Sequence, residues 1–400
     1  MTTAGPAVSY AALLRTPGAP RAFFASTLAR LSYGMVVLAL LLTVQRATSS
    51  FGAAGVCVGA YGVTSVLGPL RSRAIDRRGV RAVLVPLAVA YGASMSGAVA
   101  CAAAGVRTAA PYAIFAFLGG LVSPPVGPVM RGIWAELSPE PAARRRAYSL
   151  DAVVEEVIFA ASPVVVGAIV ALATPLAALA ASVAFAVSGS TLLATSPLAG
   201  RAPLVDAGSR DFLGPLRSGP FRILLVVLFA VGAGLSSVDL AVVARVGNGS
   251  AAGYVLAALS VGSAIGGLLW GRLTLRRGHL VQLAGLLMLM AAGMVAVAFV
   301  YGAVWIALVL GVVGLAIAPV FVVAFVAADD LVEPGSRTEA TTWVSTASNV
   351  GAAAGAAAFG VVVQHFSAGT ALLIGALVVA AVLPLLALSR PSALSPAATP

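Results

Sequence analysis

Arg71-Ser72-Arg73-Ala74-Ile75-Asp76-Arg77-Arg78-Gly79-Val80-Arg81 is a basic knot around a single acid, set between two long apolar runs. A second stretch, Gly271-Arg272-Leu273-Thr274-Leu275-Arg276-Arg277-Gly278, repeats its Arg-Arg-Gly core in the second half of the chain. The repetition says that the chain is built twice. What is built twice is decided by the residues on either side of each copy.

Of 400 residues, 60% are hydrophobic and only 9% are charged. The mean hydropathy is +1.04. A soluble surface uses about a quarter charged residues, so this chain cannot cover a water-facing globule. A lipid-facing surface removes the need, provided that backbone polar groups are satisfied inside each segment. The net charge of +11 comes from arginine alone, since the chain has no lysine. Arginine confined to one side of a bilayer sets orientation, and the knot lacks the interleaved aromatics of a nucleic-acid surface. Cys57 and Cys101 both lie inside apolar runs and read as small core residues. The first twenty residues carry Arg15 and no apolar centre, so no cleavable signal peptide is expected.

About 20 apolar residues cross the roughly 30 Å hydrocarbon layer. Twelve runs meet that need: 23–44, 52–70, 82–104, 109–129, 148–172, 175–194, 221–244, 252–273, 280–301, 304–327, 339–363 and 370–388. The expectation is an all-α membrane protein of twelve transmembrane helices in two six-helix, pseudo-symmetric bundles. Residues 1–197 form the first bundle, 198–219 a cytoplasmic linker rich in Pro, Gly, Ser and charge, and 220–400 the second bundle with a disordered tail. With twelve spans both termini share one side, and nearly all the arginine falls there. The opposite side receives only Arg46, Arg107 and Arg245. That bias places both termini in the cytoplasm of a multi-pass cell-membrane protein. The halves also align away from the knot: Pro20 with Pro220, Gly34 with Gly234, Gly55 with Gly253, and Pro124 with Pro319. Six spans repeated in one orientation fit parallel halves related about the membrane normal, an arrangement that binds its ligand near the midplane.

Charge inside a span is costly and therefore informative. Arg30 lies about 12 Å into the first span, and Ser26, Thr27, Tyr33 and Gly34 give it a polar face. Asp151 and Glu155 are four apart on the fifth span and share a face, with Glu156 beside them. These carboxylates form either a site that exchanges protons or a static ion network. Asp239 shares a face with Gly232 and Ser236 on the seventh span. It is read as a substrate or proton site, or as a group reaching interfacial water. The eleventh span is unusually polar, with Thr341, Thr342, Ser345, Thr346, Ser348 and Asn349. Such hydroxyls bind a ligand or join helices. Pro124, Pro125 and Pro128 break the inner half of the fourth span. His279 and His365 sit at loop ends with no Cys or carboxylate at ligand spacing, so no metal is expected. There is no phosphate-cradling loop and no nucleophile elbow, and no cofactor is implied.

With its knot and its twelve spans, the chain resembles the major facilitator superfamily. The family's loop between its second and third helices reads roughly Gly-x-x-x-Asp-Arg-x-Gly-Arg. Here Asp76, Arg77, Gly79 and Arg81 match, Arg73 adds charge, and Ser72 stands at the first glycine. In the second half Gly271, Arg276 and Gly278 match, while Leu275 replaces the acid. The resemblance implies that Asp76 docks at a helix end and helps hold a cytoplasmic gate shut. Ser162-Pro163-Val164-Val165-Val166-Gly167 is similar to the Gly-Pro-bearing signature of drug:proton antiporters, with Ser162, Pro163 and Gly167 as its marks. The antiporters' arginine early in the fourth span is missing, since Phe115 and Ala116 occupy that region. The run from Asp151 to Phe159 also looks like actinobacterial efflux-type members. The implied activity is export of a small organic compound against proton entry by alternating access, in a monomer whose partners are substrate, protons and lipid. An uptake permease or uniporter is the alternative. A membrane enzyme or sensor is a remote one, because the linker is too short to carry a domain.

Overall fold

The structure, a computed structural model, describes residues 10–200, 214–246, 249–273, 278–332 and 336–388. Every regular element among them is a helix, and twelve helices are long and apolar enough to cross a membrane. They are α1 (Ala19–Thr48), α2 (Ala53–Arg78), α3 (Val80–Ala103), α4 (Ala109–Leu137), α5 (Pro141–Leu172) and α6 (Pro175–Ala194). The second set is α7 (Gly219–Val246), α8 (Ala252–Arg272), α9 (His279–Phe299), α10 (Ala303–Leu331), α11 (Arg337–His365) and α12 (Ala368–Leu386). The all-α, twelve-span architecture expected from hydropathy is therefore present. Arg276, most of the linker and the C-terminal tail lie outside the described residues.

The helices gather into two compact units. The first runs to Leu137 and resumes at Val157, while the second takes Ser138–Glu156 together with the chain beyond Arg210. Residues 138–156, which sequence order places in the first half, thus pack with the second unit. In the first unit α1 packs on α2 and α6, α2 on α4, and α3 on α4 and α6. In the second, α7 packs on α8 and α12, α8 on α10, and α9 on α10 and α12. Adding six to each label of the first set gives the second. The duplication seen in the arginine knots is a duplication of the packing scheme.

Local chemistry explains where the helices start and stop. Ser50 Oγ accepts from the amide of Ala53 at 3.2 Å, Thr174 Oγ1 from Ala177 at 3.1 Å, and Ser367 Oγ from Thr370 at 3.0 Å. Hydroxyl caps of this kind supply acceptors that the first turn lacks. The knot is not a loop. It forms the last turns of α2 and ends at Gly79, whose φ of 87° is a conformation open to glycine and costly for other residues. The break expected in the fourth span is real. One helix stops at Leu121 and the next begins at Val126, around Pro124 and Pro125. Tyr91, Met95, Met35, Leu40 and Leu179 fill the first unit's interior. Phe159, Val164, Leu172 and Leu308 are exposed, as lipid-facing residues are.

Candidate functional site

Two neighbouring polar sites are built where the first half of α5 meets α8, α9 and α10, all within the second unit. The deeper one holds Glu156. Ser263 of α8 donates its hydroxyl to Glu156 Oε1 at 2.9 Å, and the Ser263 oxygen in turn accepts from the amide of Ala318 at 3.1 Å. Ala318 precedes Pro319, which lies inside α10 and has no N–H to give. A Cβ on Gly266 would sit 2.2 Å from the carbonyl oxygen of Leu315, so only glycine lets α8 approach α10 this closely. The carboxylate is thereby linked through one hydroxyl to the place where a spanning helix departs from regular bonding.

The second site lies near the ends of α8 and α10. Arg144 Nη2 meets Asp330 Oδ1 at 2.5 Å, and Arg144 Nε is 3.9 Å from Asp329 Oδ2. Tyr148 donates its hydroxyl to Asp329 and packs edge-on against Phe325. His279, the first residue of α9, places Nε2 3.9 Å from Asp330 Oδ2. Around this core α5 caps α8 with arginine. Arg145 Nη1 donates to the Leu273 carbonyl at 3.0 Å, and Arg146 Nε donates to the Gly271 carbonyl at 3.1 Å. Ser149 donates to the Gly267 carbonyl a turn earlier. The carbonyls that end a helix have no donor within it, so cationic donors suit them. The sequence reading gives the Arg144–Arg146 run either a gate role like that of Asp76 or an orientation role, and leaves Asp329 and Asp330 beyond the tenth span. The available clue is their pairing: three arginines opening one span and two acids closing another.

The other expected residues lie on several helices. Arg30 is buried on α1, and a Cβ on Gly127 would lie 3.7 Å from its Nε and 3.5 Å from Nη2 of the equally buried Arg131. Asp151 is buried on α5 and Glu155 partly so. Asp239 and Asn349 are exposed. Ser236, on the face shared with Asp239, donates to the Ala352 carbonyl at 2.7 Å. Three of the polar residues of α11 bond carbonyls of their own helix. Thr341 donates to Arg337, Thr342 to Thr338 and Ser345 to Thr341. Ser162 donates to Ile158 at 2.6 Å and stands against Gly34, where a Cβ would fall 2.1 Å from its Oγ. Pro163 lies within the α5 helix, and a Cβ on Gly167 would meet nothing within 4 Å. Arg73, Asp76 and Arg77 occupy the end of α2, Arg81 opens α3, and Gly278 precedes α9.

The break in α4 carries its own polar chemistry. Arg71, the first residue of the knot, donates to the carbonyls of Gly120 at 2.6 Å and Leu121 at 2.7 Å. Tyr33 donates to the Pro124 carbonyl and accepts from the amide of Val126 at 3.3 Å. Two side chains thus satisfy the backbone groups that the prolines release.

The fold and these sites define a class: a duplicated, twelve-span helical membrane protein with ionisable groups held within its spans. Residues 223–400 match the family model of the Major Facilitator Superfamily. The human organic anion transporter MFSD10 (TETRAN) superposes with a TM-score of 0.75 at 18% identity, over 93% of this chain and 100% of that one. A single-residue variant of the E. coli fucose:proton symporter FucP gives 0.72 at 14% over 94% and 98%. A bacterial homologue of the iron transporter ferroportin, in an outward-facing state, gives 0.72 at 15% over 93% and 99%. Comparison with curated proteins gives no match. The second half carries the family's sequence, and the chain as a whole carries the major facilitator fold.

Proposed function

We propose that the protein is a secondary active transporter of the cell membrane that exports a small organic compound in exchange for protons. Both termini face the cytoplasm, following the arginine bias. The observation that carries the reading is the bond from Ser263 to Glu156, which ties a carboxylate inside a span to the backbone of α10 beside Pro319. Gain or loss of a proton at Glu156 weakens or strengthens the bond it accepts from Ser263, because a charged acceptor binds a hydroxyl more strongly, and so changes the support of α10 beside Pro319. Coupling of that kind needs an ionisable group whose occupancy alters a helix contact. The superposed proteins are an organic anion transporter, a fucose:proton symporter and a homologue of an iron transporter, so the fold supports transport and does not select the cargo. The antiporter-like Ser162-Pro163 pair supports export. The missing arginine in the fourth span favours the second reading, an uptake permease or uniporter.

Efflux of ethidium, rhodamine 6G and carboxyfluorescein from energised cells tests both readings. Expression is expected to speed loss of at least one dye, and a protonophore is expected to stop it. Glu156→Gln keeps the shape and can still accept from Ser263, yet cannot ionise; uphill export is expected to fall at least tenfold while dye exchange across the membrane persists. Export unchanged by both treatments sinks proton coupling, and dye accumulation in place of loss supports uptake.

A further inference from the structure

At the end of the bundle opposite the knot, each unit has a cleft in the same place. In the first unit it lies between the end of α1, the end of α3 and the start of α6, has a volume of about 390 Å³, and is lined by Thr43, Arg46, Gly105, Arg107, Thr174 and Pro175 among others. In the second unit it lies between the end of α7, the end of α9 and the start of α12, at about 450 Å³, with Arg245, Tyr301, Ser367 and Thr370. Arg46, Arg107 and Arg245 are the three arginines that the sequence assigns to this side, and all three line these clefts.

The two copies use their arginines differently. Arg245 is committed to structure: Nη1 donates to Val297 at 2.5 Å and Val300 at 3.2 Å, Nη2 donates to Ala298 at 2.5 Å, and the guanidinium lies 5.7 Å from the Tyr301 ring centroid. It closes the end of α9. In the first unit α3 is closed by its own backbone, with Gly105 bonded to Ala102 and Val106 to Cys101. Arg46 and Arg107 are exposed, and among the described residues neither forms an ion pair. Thr43 is 3% exposed, lines the cleft, and its hydroxyl has no partner. A threonine within a helix ordinarily bonds the carbonyl four residues back, and this one does not. The cleft also opens on the first turn of α6, where Pro175 has no N–H and Thr174 takes the amide of Ala177, leaving Leu176 as a donor with no acceptor in the helix. Two cations, a hydroxyl and a helix N-terminus around one space call for an anion with several oxygens.

We infer that the first-unit cleft binds a phosphate group. The shared chemistry is a phosphate ester or free phosphate. The cleft lies where apolar spans end, at the depth of lipid headgroups, which favours an anionic phospholipid. The second cleft, whose arginine is already bonded, does not bind one.

The test uses the full-length protein purified in a neutral detergent, with thermal unfolding followed in the presence of dihexanoyl phosphatidylglycerol, dihexanoyl phosphatidylcholine or inorganic phosphate. Phosphatidylglycerol is expected to raise Tm by about 2–4 °C, phosphatidylcholine less, and Arg46→Gln with Arg107→Gln is expected to abolish the rise. A rise with inorganic phosphate as well makes free phosphate a ligand of the same site. Native mass spectrometry provides a second reading: one tightly held anionic lipid in the parent protein, and none in the double variant or in Thr43→Val with Arg107→Gln. No rise with either phosphate source, or a rise and a lipid count that survive in the arginine variants, overturns the inference.

Discussion

A single side chain decides most at the Arg144 cluster. Arg144 is 7% exposed and faces two carboxylates, one of them within the protein and shared with Tyr148. Removing one member of a buried ion pair leaves an uncompensated charge and costs about 3–5 kcal/mol. Asp330 keeps some contact with water, which moves the figure toward the lower end. Arg144→Gln is therefore expected to lower thermal stability in detergent by about 3 kcal/mol. Tyr148→Phe removes one donor from Asp329 and is expected to cost about 1–3 kcal/mol. Double substitution of Arg144 and Tyr148 should be less than additive, because both act on Asp329. Additivity within error in a double-mutant cycle would mean that the two do not share that carboxylate. Beyond three arginines opening one span and two acids closing another, little of this is legible at the residue level of the sequence. Arg144-Arg145-Arg146 looks like any orientation signal, and its partners lie far along the chain.

Among elements, the broken α4 shows why sequence finds a feature and misses its support. Pro124 and Pro125 announce the break, because neither can donate and the residue before a proline avoids the helical region. What cannot be seen locally is that Arg71 and Tyr33 complete the bonding from two other helices. Each carbonyl left unsatisfied at membrane depth costs about 1–3 kcal/mol. Arg71→Leu strands the Leu121 carbonyl and leaves that of Gly120 only the amide of Ser123 at 3.3 Å, so it is expected to reduce the yield of monodisperse protein several-fold, while Arg78→Leu, at the end of the same helix, is expected to leave it near the parent level. Equal yields would show that water reaches the break. The seam between α7 and α11 makes the complementary point about size. A Cβ on Gly232 would fall 2.0 Å from the Ser348 carbonyl oxygen, and one on Gly351 2.0 Å from that of Phe229. Gly351→Ala must push backbone from backbone and is expected to cost more than about 2 kcal/mol. Gly55→Ala and Gly253→Ala, at the paired positions where an added Cβ meets nothing within 4 Å, are expected to be neutral on the same melting curves. Alignment of the halves pairs those two glycines but cannot tell open space from a tight seam.

For the whole molecule, hydropathy makes the twelve spans plain, because lipid admits only segments that satisfy their own backbone. The duplication is legible too, since two copies of a packing scheme must keep the small residues and helix ends that the scheme requires. The compact units do not follow chain order, however, because residues 138–156 find their partners in α8, α9 and α10 through bonds that no local pattern encodes. Orientation belongs to this scale and can be tested directly. Nearly all arginine falls on the side of the termini, leaving Arg46, Arg107 and Arg245 opposite, and translocation across the membrane disfavours cationic loops. Alkaline phosphatase fused after Thr48, Arg107 or Val246 is expected to be active, because it reaches the oxidising side where its disulfides form. Fusions after Arg78, Leu137 or Arg217 are expected to be inactive, and green fluorescent protein at those positions or at the C-terminus is expected to fluoresce. The reverse pattern would turn the molecule over and make the knot an external feature. A mixed pattern would remove the parallel relation between the halves, since an even number of spans in each is what brings both knots to one side.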